Sequence, residues 1–215
     1  MQFLAFIKFA KNLSSFVVGP EGNISWRWKD DSFVIKASGS NMSKMSKDSI
    51  VTCDMDGNKT SSSSARPSME VGFHSWLYKN TGCKVIAHTH PTNVMKVLCG
   101  GLTEEFAKQR LYPDQVVFNG RGACVVPYAT PGQELVEEIA SATKDLETVP
   151  NLFLLENHGV ICCGKDFQEA LVMTQVCDKA AEIFLGAKSH QPKYLTEQQI
   201  NSILTHDSEV YRKNL

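Results

Sequence analysis

The segment Lys84-Val85-Ile86-Ala87-His88-Thr89-His90-Pro91 carries the reading of this chain. Its first four residues form a short apolar run that fits a buried strand, and Pro91 stops it, because proline cannot donate to a ladder. Residues two apart on a strand point to the same side. His88 and His90 therefore aim two imidazoles at one point at the strand's end. A second apolar run at 152–155 leads into Glu156-Asn157-His158-Gly159, so His158 also falls where a strand ends and the backbone turns. A lone histidine is more often packed or at the surface than a ligand. Two on one strand face need a better explanation, since buried polar groups require partners. A third imidazole and a carboxylate would complete a four-ligand site of mixed N/O type, which suits zinc.

Working outward, short β-rich runs recur at 33–35, 49–52, 84–87, 115–118, 123–126, 152–155 and 160–162. Helical patterns alternate with them. One starts near Pro67, a residue that suits a first turn, and runs through Trp76-Leu77-Tyr78 until Asn80 and Gly82 end it. Residues 133–146 place Leu135, Ile139, Ala142 and Leu146 on one stripe. Residues 166–188 form the longest candidate, with Asp166 as cap. Residues 196–204 open on Thr-Glu-Gln-Gln, a capping box. The alternation predicts an α/β fold, a three-layer α/β/α sandwich. Tight Gly-Asn and Arg-Gly turns between runs predict a mostly antiparallel central sheet.

The 215 residues suit one domain, 1–215, and 42% apolar residues can build its core. A net charge of −1, with acids and bases interspersed, argues against a nucleic-acid surface or a polybasic membrane patch. No stretch of apolar residues is long enough to span a bilayer. Lys8 and Lys11 interrupt the apolar start, which reads as an amphipathic helix rather than a signal peptide. The seven cysteines show no framework spacing and no Cys-x-x-Cys, so the reading is a reducing, cytoplasmic setting. The serines at 61–64 read as an exposed connection.

Other chemistry is sparser. Glu70 falls in the first turn of the helix expected from Pro67, where the dipole favours any carboxylate. His74, four residues on, reads as its surface pair rather than as a ligand. Residues 19–25 and 38–40 are Gly/Ser/Asn turns whose backbone N–H groups can cradle an anion. No dinucleotide, P-loop or nucleophile-elbow motif occurs. No lysine sits in an obviously apolar strand end, which disfavours Schiff-base chemistry.

Taken in order, Glu-Gly-Asn-Ile-Ser (21–25), Ser-Gly (38–39), Pro-Ser-Met-Glu (67–70), His-Thr-His-Pro (88–91), Val-Pro-Tyr-Ala-Thr-Pro-Gly (126–132) and Glu-Asn-His-Gly (156–159) resemble the class II aldolase/adducin family over nearly the whole chain. The nearest resemblance within it is to the L-fuculose-1-phosphate aldolases. The resemblance implies a homotetramer with sites at subunit interfaces, and Zn2+ held by Glu70, His88, His90 and His158. It implies a phosphate pocket of Gly22, Asn23, Ser38, Gly39 and Ser68, with Met69 standing where the family often has a second serine. The implied activity is a zinc-dependent aldolase. It would join or release dihydroxyacetone phosphate and an aldehyde through a metal-stabilised enediolate, with Glu70 moving the proton and Tyr112 or Tyr211 acting at the aldehyde oxygen. The alternatives on the same scaffold are a sugar-phosphate 4-epimerase or dehydratase, or a non-catalytic adducin-like module. The histidine triad argues against the last, and the glutamate at position 70, where epimerases tend to carry aspartate, favours aldol chemistry.

Overall fold

The computed structural model describes residues 2–213. Its strands are β1 (Asn23–Lys29), β2 (Ser32–Lys36), β3 (Ile50–Asp54), β4 (Val85–Thr89), β5 (Cys124–Val126), β6 (Leu152–Leu155) and β7 (Gly159–Gly164). They join into one seven-stranded sheet in the order β3-β2-β1-β4-β7-β6-β5. All neighbours are antiparallel except β5 and β6. The helices are α1 (Gln2–Leu13), α2 (Val71–Asn80), α3 (Thr92–Cys99), α4 (Thr103–Lys108), α5 (Pro113–Asn119), α6 (Gln133–Thr143), α7 (Phe167–Ala187), α8 (Glu197–Thr205) and α9 (Asp207–Lys213).

Strand alternation sorts side chains into two cores, one on each face of the sheet. Val85, Ala87, Val160 and Cys162 face a core shared with Phe6 of α1, Val97 of α3 and Phe184 of α7. Ile86, Ile161 and Cys163 face the other, with Phe73 and Leu77 of α2 and Leu135 and Ile139 of α6. This is the expected α/β/α sandwich. β4 and β7 are buried along their whole length, which is why 85–87 and 160–163 read as apolar runs without alternation. Full burial of each valine or isoleucine in them stabilises the fold by ~1.5–3 kcal/mol. Asp166 caps α7 by accepting from the Glu169 amide, and Thr196 and Gln199 form the expected capping box of α8.

Three expectations are corrected. Residues 115–118 are not a strand but the body of α5, because Pro113 occupies the first turn and Gln115 turns its Oε1 back to the Leu111 amide at 2.8 Å. The second helix begins at Val71 rather than near Pro67. Residues 66–67 are drawn to the sheet instead, where Ser38 N donates to Arg66 O at 2.9 Å and Pro67 bridges Ala37. The antiparallel order also does not come from Arg-Gly, which joins α5 to β5. It comes from the β1–β2 and β6–β7 hairpins and from β4 entering between β1 and β7.

Candidate metal centre and active-site cleft

β4 lies between β1 and β7, with His88 opposite Asn23 on one side and Ile161 on the other. This register brings residues distant in sequence to one end of the sheet. His88 is wholly buried, and its Nδ1 meets the Val160 carbonyl at 3.1 Å. A carbonyl only accepts, so Nδ1 carries the hydrogen and the Nε2 lone pair faces inward. His90 follows the strand, its amide bonded to Phe16 O at 3.0 Å, and its Nε2 lies 3.2 Å from that of His88. His158 is delivered by the β6–β7 turn, where Asn157 takes a left-handed φ of 53° that asparagine tolerates. Gly159 makes the close approach possible. A Cβ there would stand 2.5 Å from His90 Cδ2 and 2.7 Å from Thr89 O.

Glu70 reaches the same point from the residue just before α2. Its Oε2 lies 3.4 Å from His88 Nε2 and its Oε1 3.3 Å from His158 Nε2. Asn23 Nδ2 donates to Oε2 at 2.6 Å. Burial alone would raise the Glu70 pKa, but His88, His158 and the Asn23 hydrogen bond outweigh it and hold the carboxyl far below its ordinary value. Burial also depresses His88, and burial with the neighbouring imidazoles lowers His90 to about 4. Both shifts favour the neutral imidazole, the form of His88 and His90 that can ligate a metal.

These residues fit a metal ion. The ligand atoms of His88, His90 and His158 lie within 4.8 Å of one another. Glu70 Oε1 is buried without a hydrogen-bond partner among the described residues, a costly state that a cation would relieve. Three imidazoles and a carboxylate suit a tetrahedral centre.

The centre forms the floor of a cleft of about 350 Å³. Gly22, Asn23, Ser38, Gly39 and Ser68 all line it, with Glu70, His90, His158, Met69 and Pro131. Gly22 has φ +62° and packs on the His88 carbonyl, where a Cβ would approach to 2.6 Å. Ser68 Oγ accepts from the Glu70 amide at 3.3 Å. Tyr112 and Tyr211 do not line this cleft. Tyr112 is half-buried before α5, its hydroxyl 3.5 Å from Val176 O, and burial beside Asp114 pushes its pKa to about 12. Tyr211 projects from α9 and is exposed.

Two residues differ from the sequence reading. Lys36 ends β2 and is buried against the cleft, its Nζ donating to Ser40 O at 2.6 Å and Pro20 O at 3.1 Å. Burial lowers its pKa to about 8, against the opposing pull of Glu70. A lysine does therefore sit at an apolar strand end. The signal was Phe33-Val34-Ile35-Lys36 running straight into Ser38-Gly39. His74 is not in a surface pair but wholly buried, because α2 turns it inward beneath Asn23.

The family described as Class II Aldolase and Adducin N-terminal domain matches residues 5–185. The chain belongs to the class II aldolase and adducin family. Among similar family members is a 3-oxo-tetronate 4-phosphate decarboxylase of Haemophilus influenzae, 30% identical over 87% of this chain and 88% of that protein. An L-fuculose phosphate aldolase of Methanocaldococcus jannaschii is 28% identical over 84% and 93%. Among solved class II aldolase structures, an L-fuculose 1-phosphate aldolase superposes with TM-score 0.80 at 23% identity, over 97% of this chain and 95% of that one. Both named relatives are lyases that act on phosphorylated small molecules. Among the described residues, no helix is long and apolar enough to cross a membrane.

Proposed function

We propose that this chain is a zinc-dependent lyase that makes or breaks a carbon–carbon bond at the carbon next to the ketone of a small phosphorylated substrate, on the side away from the carbonyl. The aldol pair is dihydroxyacetone phosphate and an aldehyde. The observation that supports this reading best is the convergence of Glu70, His88, His90 and His158 beneath a cleft lined by Gly22, Asn23, Ser38, Gly39 and Ser68. A bound metal supplies Lewis acidity toward the substrate ketone. Glu70 carries the proton at the carbon beside the ketone, held for that task by the Asn23 amide. Backbone N–H groups at Gly22 and Gly39 and the hydroxyls of Ser38 and Ser68 serve the phosphate. Lys36 adds a cation to the same wall.

The resemblance further supports one domain over residues 1–215, a homotetramer and a cytoplasmic setting. All seven cysteines are free, as a reducing compartment requires. Met69 and Tyr211 are exposed and so available to a neighbouring subunit, and in a tetramer with sites between subunits a tyrosine acting on the aldehyde would reach the cleft of a neighbour.

The similarity to a 3-oxo-tetronate 4-phosphate decarboxylase favours one second reading. Loss of carbon dioxide from a 3-oxo acid phosphate leaves the same three-carbon ketone phosphate, with a proton still to be added at the same carbon. The residues above serve both reactions. The test is a zinc-loaded preparation offered dihydroxyacetone phosphate with a panel of aldehydes, and separately 3-oxo-tetronate 4-phosphate. Condensation identifies an aldolase, and carbon dioxide with dihydroxyacetone phosphate a decarboxylase. An isomeric ketose phosphate from a ketose phosphate substrate would mark an epimerase, and loss of water a dehydratase. Absence of stoichiometric metal would defeat the catalytic reading and leave an adducin-like module.

A further inference from the structure

Behind Glu70 a single file of polar groups runs into the core. Asn23 Nδ2 donates to Glu70 Oε2 at 2.6 Å. Asn23 Oδ1 meets His74 Nε2, whose Nδ1 lies 2.7 Å from Ser25 Oγ. Ser25 Oγ in turn lies 2.7 Å from the Tyr78 hydroxyl. Asn23, Ser25, His74 and Tyr78 are all buried, at 2%, 0%, 0% and 2% exposure, so no water competes for these bonds.

Both ends of the file impose one direction on it. Ionised Glu70 can only accept, so Asn23 turns its NH2 outward and its carbonyl to His74. That carbonyl can only accept, so His74 carries its hydrogen on Nε2 and accepts at Nδ1 from the Ser25 hydroxyl. The Tyr78 hydroxyl has Ser25 as its one hydrogen-bond partner among the described residues, and a buried hydroxyl that did not donate would be left unsatisfied. Every hydrogen therefore points toward Glu70. Bonds aligned head to tail polarise one another.

We propose that His74, Ser25 and Tyr78 are positioning residues for Glu70, fixing the Asn23 amide so that its NH2 always faces the carboxylate. Without a donor on Oδ1 the amide is free to turn its carbonyl toward Glu70 and repel it. This rests on the reading of Glu70 as a metal ligand and proton carrier, and the measurements separate the two. In metal-free protein labelled with 15N-histidine, NMR should show His74 as the neutral Nε2–H tautomer. The Nδ1–H tautomer would overturn the proposal whatever the metal does.

The second measurement is titration of zinc ion alone into metal-free wild type, His74→Phe and Tyr78→Phe, each first shown to be folded by circular dichroism. His74→Phe should weaken zinc binding about three- to tenfold, the worth of one hydrogen bond. Tyr78→Phe should weaken it in the same sense but less, and it keeps the test open if His74→Phe does not fold. Unchanged zinc affinity in both folded variants means a purely structural role and overturns the proposal. Should wild type bind no zinc, the proposed function fails, while the His74 tautomer still decides whether the file is oriented as described.

Discussion

Glu70 shows what a single residue's surroundings decide. In the sequence it is an acid near a helix start, and the helix dipole alone would account for it. In the structure it touches two imidazoles and the Asn23 amide. The two accounts give opposite results in Glu70→Gln. A dipole role loses ~0.3–1 kcal/mol of stability with normal turnover. A proton carrier loses ~10²–10⁴-fold in kcat with the fold and most of the metal retained. Measuring kcat, metal content and melting temperature on the one variant separates them. His88→Ala should strip the metal, because His88 is the proposed ligand whose tautomer is fixed by the Val160 carbonyl; full zinc retention by mass spectrometry would contradict the assignment. Lys36 is the residue the sequence misrepresented. Its two carbonyl partners favour the ammonium form, so it should bind rather than attack. Borohydride added with dihydroxyacetone phosphate is expected to trap no adduct, and Lys36→Met to raise KM more than it lowers kcat.

At the scale of elements, the site depends on three backbone features: the end of β4, the β6–β7 turn and the residue before α2. The first two were legible, because an apolar run followed by Pro91 or by Asn157-His158-Gly159 marks a strand end. The third was placed in a helix's first turn, since Pro67 suits a helix start and its recruitment to the sheet beside Ala37 depends on a partner far away in sequence. The β-branched run of α5 was misread for the same kind of reason: four residues do not separate strand from helix, and Pro113 decided it. Gly159 tests the β6–β7 turn. Gly159→Ala should force His90 or the Thr89 carbonyl aside, cost ~1–3 kcal/mol by overpacking, and weaken zinc binding. An alanine variant with unchanged urea midpoint and metal affinity would show that the turn has slack that its contacts do not suggest.

At the scale of the whole molecule, the polar file from Glu70 to Tyr78 lies inside the sandwich, and folding keeps its histidine neutral. Burial, with the unfavourable neighbourhood of His88 for a second cation, lowers the His74 pKa to about 3. The unfolded chain takes up a proton there below the ordinary value of about 6.5. The folded chain refuses it until much lower pH. Stability of the metal-free protein should therefore fall as pH drops from about 6.5 to 4.5, by ~1.4 kcal/mol per pH unit for one such histidine. His88 and His90 shift the same way and steepen the fall. Urea midpoints across that range check it; a flat profile would mean that His74 is protonated in the fold. The sequence by itself determined the layers, most strands and the long helices, because period and end signals are local. It also supplied the three histidines, whose strand-end settings are local too. Only the tertiary structure decided that Glu70 meets them, that Lys36 is buried beside the cleft, and that His74 points inward beneath Asn23. Each of those depends on which strand lies beside which, and β4 reaches its place between β1 and β7 only when the whole sheet has formed.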